Sequence, residues 1–98
     1  MEKNQNKESY MQRRTQQLQQ WDRVIAKLIA RADKAKDIRQ KDLRHHILKI
    51  QVLKARTEVK LRQLREVDNG DWDIIKTGLE NNWTTLRKAF LKASARAK

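Results

Sequence analysis

The chain has no cysteine, no proline and only two glycines in 98 residues. Without cysteine there is no disulfide and no thiolate metal site. Without proline, and with Gly70 and Gly78 as its glycines, the chain offers few places where a helix must stop. Aromatic residues are also scarce, at 5%, although three of them are tryptophan. No apolar run approaches about 18 residues, so no transmembrane helix is expected. Residues 1–20 are polar and glutamine-rich, without the apolar segment of a secretory signal, and the cytoplasm is the expected location. Nowhere do residues combine as a nucleophile–base pair, a metal constellation or a phosphate-binding glycine loop. An enzyme is therefore not expected, and no cofactor is called for.

What remains is a mixture of 38% hydrophobic and 37% charged residues, spread at helical periods. Such a mixture suits long helices or a coiled coil, in one domain at most. The net charge is +12, and the excess lies in the middle of the chain. That balance favours phosphate-rich or acidic partners: nucleic acid, anionic headgroups or acidic proteins.

Residues 43–67 organise the pattern. Leu43, Ile47, Ile50, Leu53, Thr57, Leu61 and Leu64 follow the three- and four-residue steps of one helical face. Leu48, Val52, Ala55 and Val59 form a second apolar stripe on nearly the opposite side. Between the stripes lie Arg44, Lys49, Lys54, Arg56, Lys60, Arg62 and Arg65, with Glu58 among them. A helix apolar on two sides predicts two neighbours. Lys49, Arg56 and Lys60 fall together on one flank and are the candidate contacts for an anionic partner. No exposed aromatic in register and no groove-reading motif accompanies them, so binding to nucleic acid would be non-specific.

Upstream, residues 1–8 lack apolar periodicity and are expected to be flexible. Ser9, with Gln12 three residues on, is a candidate helix start. Leu18, Trp21, Ile25, Leu28 and Ala32 then mark one face, which Val24 and Ile29 widen. Residues 31–42 are weakly apolar but contain no Gly, Pro, Ser or Asn. Ala32 and Leu43 are eleven residues apart, a spacing that a continuous helix accommodates by a local change of supercoil. The spacing predicts one helix over about residues 9–67, roughly 90 Å long at 1.5 Å per residue. The alternative is a bend near residues 37–42 and a three-helix bundle.

Downstream, Asp68-Asn69-Gly70-Asp71 is a clear break. Asn69 or Gly70 is suited to a left-handed helix end and Asp71 to the next cap. A second helix over about residues 71–97 places Trp72, Ile75, Leu79, Trp83, Leu86, Phe90 and Ala93 on one face. Gly78 inside it suggests a close helix–helix approach. A short turn between amphipathic helices predicts an antiparallel hairpin. The shorter helix covers only part of the longer one, which leaves Trp21, Ile25 and Leu28 to be covered by a second chain. With Leu48, Val52 and Val59 they are the candidate self-association residues of a homo-oligomer. His45 and His46 are adjacent, so they point in different directions, whereas a helical metal pair needs residues three or four apart.

Trp72-x-x-Ile75-Lys76-x-Gly78, followed by Trp83-x-x-Leu86-x-x-Ala89-Phe90-x-x-Ala93, resembles the C-terminal signature of a group of small bacterial stress-response coiled-coil proteins. Trp21, Leu28 and Ala32 are similar to that group's N-terminal pattern. The resemblance covers about residues 10–95 and consists mostly of packing positions. It implies a coiled-coil fold and a stress-associated role, and it brings no catalytic residues. This chain is more basic over residues 43–65 than the group's usual pattern. Taken together, the residues point to an all-α, self-associating interaction or scaffold protein. Non-specific nucleic-acid binding through the basic helix is the alternative, and attachment to a membrane surface ranks below both.

Overall fold

The computed structural model describes residues 2–97, with side chains for residues 7–68 and 70–97. The fold is all-α, with three helices: α1 (Glu2–Lys34), α2 (Asp37–Glu66) and α3 (Asn69–Arg96). They lie side by side, running up, down and up. Antiparallel α1 and α2 are tied by Asp22 to Lys54 and by Asp33 to Arg44. Antiparallel α2 and α3 are tied by Asp42 to Arg96. Parallel α1 and α3 are marked by Tyr10 against Trp72 and Trp21 against Trp83. The extents of 54 × 19 × 17 Å are those of helices stacked sideways, not of a rod about 90 Å long.

The expected helix over residues 9–67 is therefore interrupted, at Ala35 and Lys36, just before the alternative bend at 37–42. Nothing local compels the break. Lys36 occupies the N-cap of α2 and makes no side-chain capping bond. Asp37 takes φ 59°, in the left-handed region. Aspartate tolerates that region better than most residues, but the conformation costs a non-glycine residue about 1–2 kcal/mol. Folding back buries Leu18, Ile25 and Leu28, at roughly 1.5–3 kcal/mol each. Burial outweighs strain, and tertiary packing overrides the helical preference of residues 31–42.

Two other boundaries differ from expectation. Helix α1 begins at Glu2, upstream of Ser9; the glutamate, lysine and glutamine of this stretch are good helix formers, and no glycine or proline halts them. At the second joint, the reversal uses Val67 and Asp68, both extended, at φ −83°, ψ 157° and φ −73°, ψ 165°. No described glycine has positive φ, so the expected left-handed residue at Asn69 or Gly70 is absent. Two extended residues in succession turn the chain instead. Asp68 takes the N-cap position in place of Asp71, whose N–H donates to the Asp68 carbonyl at 3.2 Å.

The core takes one face from each helix. Leu18, Ile25, Leu28 and Ala32 come from α1; Leu43, Ile47, Ile50, Leu61 and Leu64 from α2; Leu79, Trp83, Leu86, Phe90 and Ala93 from α3. Thr57 is fully buried in the α2 row, and its hydroxyl is satisfied by donating to the Leu53 carbonyl at 2.8 Å.

Candidate interaction surfaces

Helix α2 has two neighbours, as its two stripes suggest, but both sit on the same side. The stripe Leu43, Ile47, Ile50, Thr57, Leu61 and Leu64 is buried between α1 and α3. The opposite stripe faces outward: Leu48 is 60% exposed, Val52 46% and Val59 48%, and Ala55 is exposed between them. Among the described residues the second stripe therefore meets no neighbour within the chain, and Leu48, Val52 and Val59, the candidate self-association residues of α2, stay on its outer face. Successive residues of a helix turn by about 100°, so two helices packed on one face leave the far stripe uncovered. Leu48 also borders a groove of 340 Å³ between α1 and α2, with Ile29, Ala32 and Ile47 on its apolar side and Arg44, Asp33 and Gln51 on its polar side. Ile29, itself exposed, extends the apolar surface onto α1.

The bases of α2 divide into paired and unpaired. Lys54 is held by Asp22 at 2.8 Å and Glu58 at 3.0 Å, and Arg44 lies 3.5 Å from Asp33. Burial alone would lower the Lys54 pKa, but hydrogen bonds to Asp22 and Glu58 outweigh it and hold the ammonium above the ordinary lysine value. Lys49 and Arg56 are exposed and Lys60 is half-buried, and none of the three forms an ion pair among the described residues. They share the flank of α2 that borders α3, where the Lys60 stem passes over Gly78. A Cβ placed on Gly78 would meet Lys60 Cε at 3.8 Å, an ordinary contact. Close backbone approach is therefore not what keeps a glycine there.

The remaining candidate self-association residues lie inward. Ile25 and Leu28 are buried, and Trp21 is half-buried. The Trp21 ring centroid stands 4.6 Å from that of Trp83 and 4.8 Å from that of Phe90. Its cover comes from α3 of the same chain.

One cluster has no counterpart in the sequence reading. Arg14 lies over the Trp83 ring at 4.2 Å and the Tyr10 ring at 5.3 Å, and donates to Gln17 at 3.0 Å. Lys76 sits 5.0 Å from Tyr10 and 5.2 Å from Trp72. Burial raises the Tyr10 pKa above the ordinary phenol value, with Arg14 opposing and Glu80 reinforcing the shift. The four-residue step from Tyr10 to Arg14 is visible in the sequence, but the rings that α3 brings to them are not.

His46 approaches Asp42 at 3.6 Å, and Asp42 also holds Arg96 at 3.4 Å. His45 is exposed on another side of the helix. Among the described residues no group of three metal-ligating side chains assembles, and no helix is long and apolar enough to cross a membrane. Comparisons with protein-family models, with curated proteins and with solved structures find no match.

Proposed function

We propose that the protein is a non-enzymatic helical interaction protein that presents the outer face of α2 to an acid-flanked helix of another protein. The observation that carries this reading is the exposure of Leu48, Val52 and Val59 in one row. Three apolar side chains at helical spacing on an otherwise charged helix match a helix-in-groove contact. Arg44, Lys49, Arg56 and Arg62 surround the row and are all exposed. Two such faces laid against each other would oppose bases to bases, whereas an acidic partner would neutralise them. The charge pattern thus favours a different chain over a second copy at this face. A stress-associated setting rests on the resemblance of the Trp72–Ala93 signature.

The second reading, non-specific nucleic-acid binding, is supported by the unpaired Lys49, Arg56 and Lys60. Affinity would then fall with salt at a slope of about 0.9 per phosphate neutralised on duplex DNA.

A pull-down from cells, with and without nuclease, separates the two. The expected outcome is a polypeptide that survives nuclease and is lost when Leu48, Val52 and Val59 are all replaced by glutamine. Loss of all partners after nuclease would favour the nucleic-acid reading. Retention by the triple variant would contradict a role for the outer stripe.

A further inference from the structure

We propose that α1 exchanges between two copies of this chain, with α1 and α2 joining into one continuous helix. The inner face of α1 then packs on the α2–α3 pair of the second copy, as it now packs on its own. The surface involved is the one carrying Trp21, Ile25 and Leu28, so the proposal is independent of the outer face of α2.

Local sequence and tertiary packing disagree at residues 35–37. Residues 31–42 contain no helix-stopping residue, yet the chain breaks there. Lys36 supplies no capping bond to the first turn of α2, and Asp37 is held at φ 59°. Two side-chain ties steady the closed joint: Gln40 Nε2 donates to the carbonyl of buried Ala32 at 3.1 Å, and the exposed Arg44 lies 3.5 Å from Asp33. Ile38, directly beside the break, is 83% exposed.

A continuous helix removes these conflicts together. The first-turn N–H groups of α2 gain carbonyl partners from α1, and Asp37 leaves the left-handed region. The eleven residues from Ala32 to Leu43 keep both apolar faces in register along one helix. In a closed two-fold dimer the packing contacts of α1 away from the hinge are regained between chains, including Asp22 with Lys54 and Trp21 with Trp83. Two long helices would cross where the hinges lie, which brings Ile38 of each copy toward the dimer axis. Short strained hinges are the known setting for such exchange. What opposes it is the entropy of association, so the exchanged state is favoured by concentration.

The test is light scattering across a micromolar-to-millimolar concentration series. Asp37→Ala strengthens the helix and worsens the left-handed hinge, so it should tighten the dimer. Asp37→Gly should weaken it. The expected effect is about tenfold for each of two hinges, or about a hundredfold in Kd between wild type and either variant. Inserting three glycines between Lys36 and Asp37 should leave only monomer. Exchange is read directly by mixing Asp22→Lys with Lys54→Glu. Each variant alone sets like charges together, but in a mixed exchanged dimer each introduced charge faces its opposite. Co-refolding the two should therefore yield a heterodimer that neither forms with itself. Wild type and Asp37→Ala both monomeric throughout would overturn the proposal. So would a dimer that survives the glycine insertion, or a mixture that gives no heterodimer.

Discussion

Trp21 and Trp83 stack with ring centroids 4.6 Å apart and planes inclined by 32°, which fixes α1 against α3 near the middle of the molecule. Phe90 also lies against Trp21, with ring centroids 4.8 Å apart. This contact holds the returning α1 in place, and Ile25 and Leu28 are buried in the core cluster against which Trp21 packs. Trp21→Ala should lower stability by roughly 3 kcal/mol, toward the low end for removing a large aromatic because the ring is only half-buried. Urea unfolding followed by far-ultraviolet circular dichroism reads the change. A loss below about 0.5 kcal/mol, the range of ordinary surface substitutions, would mean that α1 is not held by this ring.

Gly78 lies in the interior of α3 with room for a methyl group, its nearest neighbour being the flexible Lys60 stem at 3.8 Å. Gly78→Ala should raise stability by about 1 kcal/mol, the helix-propensity difference between the two residues. A thermal melt distinguishes this from the opposite case. A lower melting temperature would show that α2 and α3 approach more closely than the Lys60 contact indicates.

Alkaline pH should destabilise the fold through two groups. The Lys54 pKa is raised above 10.5: burial lowers it, but the hydrogen bonds to Asp22 and Glu58 more than compensate. A lysine with a raised folded pKa contributes stability that is fully present below its unfolded value and lost as pH rises through the folded one. The Tyr10 pKa is raised above 10.0, chiefly by burial. A phenol kept neutral by the fold likewise contributes below its unfolded value and loses that contribution above it. Both act in the same direction, so urea stability should decline above pH 10.0–10.5. Tyr10→Phe with Lys54→Met should flatten that decline. An undiminished decline in the double variant would assign the alkaline limb to other groups.

Much of this architecture is legible in residue spacing. Leu43, Ile47, Ile50, Leu61 and Leu64 repeat at helical steps and are buried together, as are Leu79, Trp83, Leu86, Phe90 and Ala93. Asp68-Asn69-Gly70-Asp71 marks its joint because four turn-forming residues occur in a row, although the turn itself uses Val67 and Asp68. The joint at Ala35 and Lys36 carries no such mark. Its cause is the burial of Leu18, Ile25 and Leu28 against distant helices, which no local signal reports. For the same reason, the stripe Leu48, Val52 and Val59 reads like the buried one. Periodicity shows that a face is apolar, but the path of α1 decides which face is covered. The Arg14–Trp83 contact depends on that path too.

In the proposed function the outer stripe of α2 is free surface, surplus to folding and open to a partner. The most direct test is urea unfolding of the variant carrying Leu48→Gln, Val52→Gln and Val59→Gln. Exposed positions predict a stability within about 0.5 kcal/mol of wild type for each substitution, with unchanged helicity. A loss of about 2–5 kcal/mol per site, the usual consequence of truncating buried aliphatic residues, would show that the stripe is already covered and would contradict its role as a docking face.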